Sequence, residues 1–183
     1  MKNLLYFIVT SQLAIFTTYS AYSQSFDKPS EGKALVYILR PSLLGMAINF
    51  SYYVDSTFIG KANGGNYLKA EVTPGEHIIW AVSENRDFVD AEIEAGKIYL
   101  LLANPVPGGL KAGVNLVPVD TTDQKTMKRI NKLVSKKGPK NQNAKTVAEE
   151  RSKSDDAYKT AMKKYAVIKE KGGVLMLAPN NTL

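Results

Sequence analysis

Over residues 34–39 every position is apolar, with Ala34, Val36 and Ile38 on one face of an extended chain and Leu35, Tyr37 and Leu39 on the other. A strand apolar on both faces belongs where both faces are covered. Arg40-Pro41-Ser42 closes the run, because proline brings no N–H to the ladder. Residues 43–47 predict a loop. Phe50, Tyr52 and Val54 alternate with Ser51 and Tyr53 in the next strand. Asp55-Ser56 fits a turn, and residues 57–60 return as a short strand. Residues 62–66 form a second reversal. Residues 67–73 make a strand that ends at Thr73-Pro74-Gly75-Glu76, the composition of a type II turn. Ile78, Trp80 and Val82 share one face of residues 77–83. Val89, Ala91 and Ile93 then alternate with Asp90, Glu92 and Glu94, the pattern of a strand with one wet face. After Ala95-Gly96, residues 98–103 are apolar on both faces and predict a central strand. Residues 104–113 carry two prolines and three glycines and predict a flexible loop. Residues 114–119 are the last strand of this series. Seven or eight short strands with turns at this spacing predict a mainly β fold, an antiparallel β-sandwich.

Beyond residue 120 the period changes to that of a helix. Thr121 with Gln124 has capping-box spacing, and Met127, Ile130 and Val134 follow at helical intervals. Gly138-Pro139 stops that helix. Residues 140–146 are a polar link. Residues 147–171 predict a second helix, with Tyr158, Met162 and Tyr165 on one face, Ala161 and Ile168 beside them, and Gly172-Gly173 at its end. Residues 174–177 are apolar, suited to packing back on the domain or adding an edge strand.

The front of the chain has the form of a leader. Lys2 precedes a mostly apolar run over residues 4–19, and Ala21 and Ser23 put small residues at −3 and −1 of a cut before Gln24. The run is too short and too rich in hydroxyls to favour a spanning helix. The expected organisation is a signal peptide over 1–23, a linker over 24–32, the β-sandwich over 33–120, and a basic, mostly helical extension over 121–183. The chain has no cysteine, so no disulfide staples the domain and no lipid is attached through cysteine. Export to the periplasm or beyond is the expectation. The net charge of +7 is uneven. Residues 24–120 hold eight Lys/Arg against eleven Asp/Glu, and residues 121–183 hold fifteen against six. That asymmetry points the tail at an anionic surface.

The segments LVYILRPS, YYVDSTFIG, GNYLKAEVTPGEH and AGKIYLLL occur in that order. In this order they resemble the bacterial family known as domain of unknown function 2846, over about residues 33–120. The Val-Asp, Ile-Gly and Pro-Gly-x-His elements are also similar to PEGA and carboxypeptidase-regulatory-like β-domains. The resemblance implies an exported β-sandwich of uncharacterised function, with no catalytic residues to carry over. One departure is Ser56, where the family pattern keeps a glycine after Val-Asp.

Few residues offer chemistry. His77 is the only histidine. With no cysteine beside it, it makes a poor zinc or copper site, and after a Pro-Gly turn its ring is expected to bond local backbone. Asp87, Asp90, Glu92 and Glu94 are expected to form a solvated, open face rather than the flanks of a catalytic cleft. Gly64-Gly65 and Gly108-Gly109 precede no helix with a Lys-Ser/Thr pair, which removes phosphate-loop logic. No catalytic, metal or cofactor site is therefore expected. The candidate binding residues are Lys125, Lys128, Arg129, Lys132, Lys136, Lys137 and Lys140, around one helix and its end. The functional expectation is an exported, non-catalytic binding or structural module of the cell envelope. Its basic tail would meet an envelope polymer, an anionic lipid surface or an envelope protein, and not nucleic acid. The alternatives are an envelope glycan hydrolase using Asp90 and Glu92, and a subunit of a larger envelope complex.

Overall fold

The computed structural model describes residues 26–43, 46–179 and 181–183. The leader and the first two linker residues lie outside the described residues, as do positions 44 and 45 of the loop expected over 43–47. The strands are β1 (Ala34–Arg40), β2 (Phe50–Val54), β3 (Thr57–Ala62), β4 (Asn66–Val72), β5 (Gly75–Val82), β6 (Arg86–Ile93), β7 (Ile98–Val106), β8 (Gly113–Pro118) and β9 (Leu175–Leu177). The helices are α1 (Gln124–Lys136), α2 (Ala144–Ser152) and α3 (Ser154–Glu170). A four-stranded sheet has the order β4-β1-β7-β8, and a five-stranded sheet has the order β3-β2-β5-β6-β9.

The sheets face each other as the alternation requires. Ala34, Val36 and Ile38 of the first sheet and Phe50, Tyr52 and Val54 of the second meet in one buried core. The opposite face of β1, with Leu35, Tyr37 and Leu39, packs against Ile130 and Val134 of α1. On the second sheet Tyr53, Phe58, Trp80 and Phe88 face outward and are covered by Ala161, Met162 and Tyr165 of α3. Tyr53 stacks on Trp80 at 4.0 Å between ring centroids. The basic tail is thus built into the fold as both outer layers of a helix–sheet–sheet–helix stack.

Several elements differ from the sequence expectation. The sandwich is mixed rather than purely antiparallel, because β1 pairs with β7 and β6 with β9 in parallel. Gly75 has a φ of 130° and opens β5. The Pro-Gly step carries the chain from one sheet to the other instead of making a type II hairpin. β7 runs on to Val106, with Pro105 opposite Val114. The β1 pairing stops at Leu102, so Pro105 sits where that side of the ladder is open and its missing N–H costs nothing. The cap of α1 is Asp123, whose Oδ1 accepts from the N–H of Lys125 and Thr126 at 3.0 and 3.2 Å. Thr121 and Gln124 form no capping box, since a carboxylate nearer the first turn is the stronger acceptor. The single long helix is two, divided at Lys153, where φ is −107° and ψ is −2°. Residues 175–177 do add an edge strand.

Side chains cover the sheet edges. Ser83 Oγ donates to the Ala112 carbonyl, Asn85 exchanges two hydrogen bonds with Val114, and Asp87 accepts from Leu116 N–H at 2.6 Å. Spaced two apart, these three side chains act as a further strand along β8. Gln142 does the same for β3, exchanging two bonds with the Lys61 backbone. Paired edges of this kind resist strand addition by other chains.

Candidate functional site

Helix α1 carries the candidate site. Lys125, Lys128, Arg129, Lys132 and Lys136 are exposed. Their spacing of three, four, seven and eleven residues from the first keeps them on one side of a helix with 3.6 residues per turn. Met127, Ile130 and Val134 occupy the opposite side, against the first sheet. Burying that side directs the five cations together into solvent. Among the described residues no carboxylate forms a salt bridge with any of the five. A groove of about 760 Å³ runs beside the N-terminal half of this face, lined by Lys125, Met127, Lys128 and Leu183 among others.

Lys137 and Lys140, expected on the same surface, are used differently. Lys137 Nζ donates to the Gly65 carbonyl at 2.9 Å. Lys140 Nζ donates to Asn49 Oδ1 at 2.9 Å and to Asn63 Oδ1 at 2.7 Å. Partial burial lowers the pKa of Lys140, and the nearby Arg40 guanidinium lowers it further. These two lysines anchor the end of α1 to the loops at one end of the sandwich. The Asn63 that holds Lys140 also donates from Nδ2 to the Met46 carbonyl at 2.7 Å. Met46 N–H in turn donates to the Leu43 carbonyl at 3.0 Å. Ser42 and Met46 lie against Gly64, where an added Cβ would come within 2.7 Å of the Ser42 carbonyl.

The acidic strand face is not the open surface expected. A groove of about 390 Å³ lies beside it, with Asp90, Glu92, His77, Tyr165 and Lys169 in its walls. It forms because α3 lies over β6. Tyr165 OH donates to Asp90 Oδ1 at 2.6 Å, and Lys169 Nζ lies 3.0 Å from Asp90 Oδ2. Burial raises the pKa of Tyr165, while its hydrogen bond and that of Asp90 raise the pKa of Lys169. Asp87 lies apart from this groove, clipping β8; burial raises its pKa against the pull of the Leu116 N–H. Glu92 and Glu94 are exposed. His77 has acceptors at both ring nitrogens, Asp55 Oδ2 at 2.7 Å from Nδ1 and the Thr73 carbonyl at 2.8 Å from Nε2. Both ring nitrogens are thus engaged within the chain. Among the described residues no group of three or more His, Asp or Glu side chains is placed to hold a metal ion. Gly64, Gly65, Gly108 and Gly109 lie in turns and loops, as expected. Among the described residues no helix is long and apolar enough to cross a membrane.

The model of the family described as a protein of unknown function (DUF2846) matches residues 30–107. That span runs from just before β1 to just past β7. β8, β9 and the three helices lie outside it, as does the cationic face of α1. An uncharacterized protein of Haemophilus influenzae is 30% identical over 116 residues, covering 62% of this chain and 68% of the relative. The ordered strands and turns of residues 30–107 and this likeness over most of the relative's length place the chain in the DUF2846 family of proteins of unknown function.

Proposed function

We propose that this protein is an exported, non-catalytic binding module of the cell envelope that holds an anionic surface through α1. The observation that carries this is the set of five exposed cations, Lys125, Lys128, Arg129, Lys132 and Lys136, on the side of α1 opposite its buried face. Like charges collected on one side of a helix repel one another, and an anionic partner relieves that repulsion. The leader-like first 23 residues support an envelope location. Against glycan hydrolysis stands the geometry at Asp90, whose two oxygens are engaged by Tyr165 and Lys169.

The test is cosedimentation of the mature protein with phosphatidylglycerol vesicles and, separately, with cell-wall sacculi. Retention on at least one surface, falling as salt screens the charges, is expected. The combined variant Lys125→Glu, Arg129→Glu and Lys132→Glu should lose it. Equal, negligible retention of both proteins would overturn the reading.

A further inference from the structure

The groove of about 760 Å³ beside α1 brings cationic and apolar side chains into one space. Lys125 and Lys128, three residues apart on the helix, line it together with Met127 and Leu183. α1 supplies one wall, and residues 182 and 183 supply another. Thr182 bridges Tyr99 in antiparallel fashion, and Leu183 N–H donates to the Ile98 carbonyl at 3.2 Å. These pairings hold Leu183 at the start of β7, where it remains 49% exposed. Among the described residues no Asp or Glu side chain lines the groove. The nearest in sequence, Asp120 and Asp123, are engaged by Thr122 and by the first N–H groups of α1. Like charges three residues apart on a helix repel each other, and an anion set between them removes that cost.

We infer that this groove takes one acyl chain of an anionic phospholipid, with Met127 and Leu183 against the chain and Lys125 and Lys128 at the head phosphate. This rests on the anionic-surface reading above and names the partner held at the N-terminal half of α1. Charge complementarity selects the head, since a lysine ammonium is a compact point charge suited to phosphate. The apolar side chains select the tail. A free phosphate or a wall polyanion leaves Met127 and Leu183 in water, whereas a chain laid on them removes apolar surface of both partners from water. The volume falls within the range of small-molecule sites, about 300–1,000 Å³. An extended peptide would also bring backbone N–H groups, and the two ammonium groups accept none of them.

The probe is lysophosphatidylglycerol below its micelle concentration, which offers one chain and one phosphate as a monomer. Calorimetric titration of the mature protein should saturate at one per chain, with lysophosphatidylcholine and glycerol phosphate each about tenfold weaker or more. Gln124→Trp sets a large side chain at an exposed position lining the groove. That variant and Leu183→Ser, both leaving the five cations in place and both checked for folding by circular dichroism, should each weaken lysophosphatidylglycerol by about tenfold or more. Binding that neither variant changes, or glycerol phosphate binding as tightly as the lysolipid, overturns the acyl-chain site. An acidic peptide of alternating Glu and Leu that binds as tightly overturns the lipid in favour of a protein partner. In each of these cases retention of the parent on vesicles or sacculi leaves the anionic-surface reading standing. No retention on either surface and no binding of the lysolipid overturns both.

Discussion

Asp55 Oδ2 lies 2.7 Å from His77 Nδ1, joining the turn between β2 and β3 to the start of β5 across 22 residues of chain. Asp55 does more than hold the ring. Its Oδ1 accepts from Ile78 N–H at 2.9 Å, and its carbonyl accepts from Trp80 Nε1 at 2.8 Å. Its φ of 50° is the only positive value at a non-glycine position among the described residues. Aspartate tolerates this region better than most residues. The positive φ thus falls on the Asp of the Val-Asp pair, which is how the turn forms with Ser56 in place of glycine.

Asp55→Ala should therefore destabilise by about 1–3 kcal/mol, the range for leaving a part-buried donor without its acceptor. Asp55→Asn keeps one amide oxygen and should lose less. Urea unfolding of the two variants against the parent should give the order parent, Asn, Ala. Equal midpoints for all three would show that the carboxylate carries no stability.

Arg40 is 1% exposed. Its Nη1 donates to the carbonyls of Ile48 at 2.7 Å and Ala62 at 3.2 Å, and its Cζ sits 3.9 Å above the centre of the Phe50 ring. Arg40→Ala should cost about 3 kcal/mol or more, from two carbonyls losing a charged donor and from the lost ring contact. Arg40→Lys should recover only part, because an ammonium cannot reproduce the planar fork. Thermal unfolding of both variants measures this.

Glu84 holds the loop between β7 and β8 by accepting from the N–H groups of Gly109, Leu110 and Lys111. The Leu110 and Lys111 bonds are the main cause of its lowered pKa. A carboxylate with a depressed folded pKa contributes above its ordinary pKa and loses that contribution as pH falls through the depressed value. Amide exchange at 109–111, corrected for the intrinsic pH dependence, should show protection at neutral pH that disappears in acid. Glu84→Gln should remove that transition. The same acid transition in the Gln variant would exclude Glu84 as its source.

Leu177 of β9 is fully buried in the core between the sheets, although β9 is only three residues long. Leu177→Ala should cost about 2–5 kcal/mol. Met176→Ala, at a position 55% exposed, should change stability far less. Comparable losses would mean that β9 pairing, rather than the Leu177 contact, holds this segment.

The strands and most of their ends were legible because alternation of apolar and polar side chains is a local property with a period of two. The doubly apolar β1 told that both its faces are covered. It did not tell that α1 covers one of them, because that depends on where a segment about ninety residues later returns. The cation spacing on α1 was legible because helical periodicity is likewise local, and so was the face it occupies. The division of labour within it was not: Lys137 and Lys140 look like their neighbours in sequence and differ only in the loop carbonyls and amides they reach. The parallel pairings, the side-chain strand of Ser83, Asn85 and Asp87, and the groove beside Asp90 likewise arise from contacts between distant segments, which carry no periodic trace. Local hydrophobic patterning was sufficient for a mainly β fold followed by helices, and for the cationic face. Which polar groups serve folding and which remain free for a partner was decided by long-range packing, because a charge is spent or available according to what the rest of the chain places within hydrogen-bond reach.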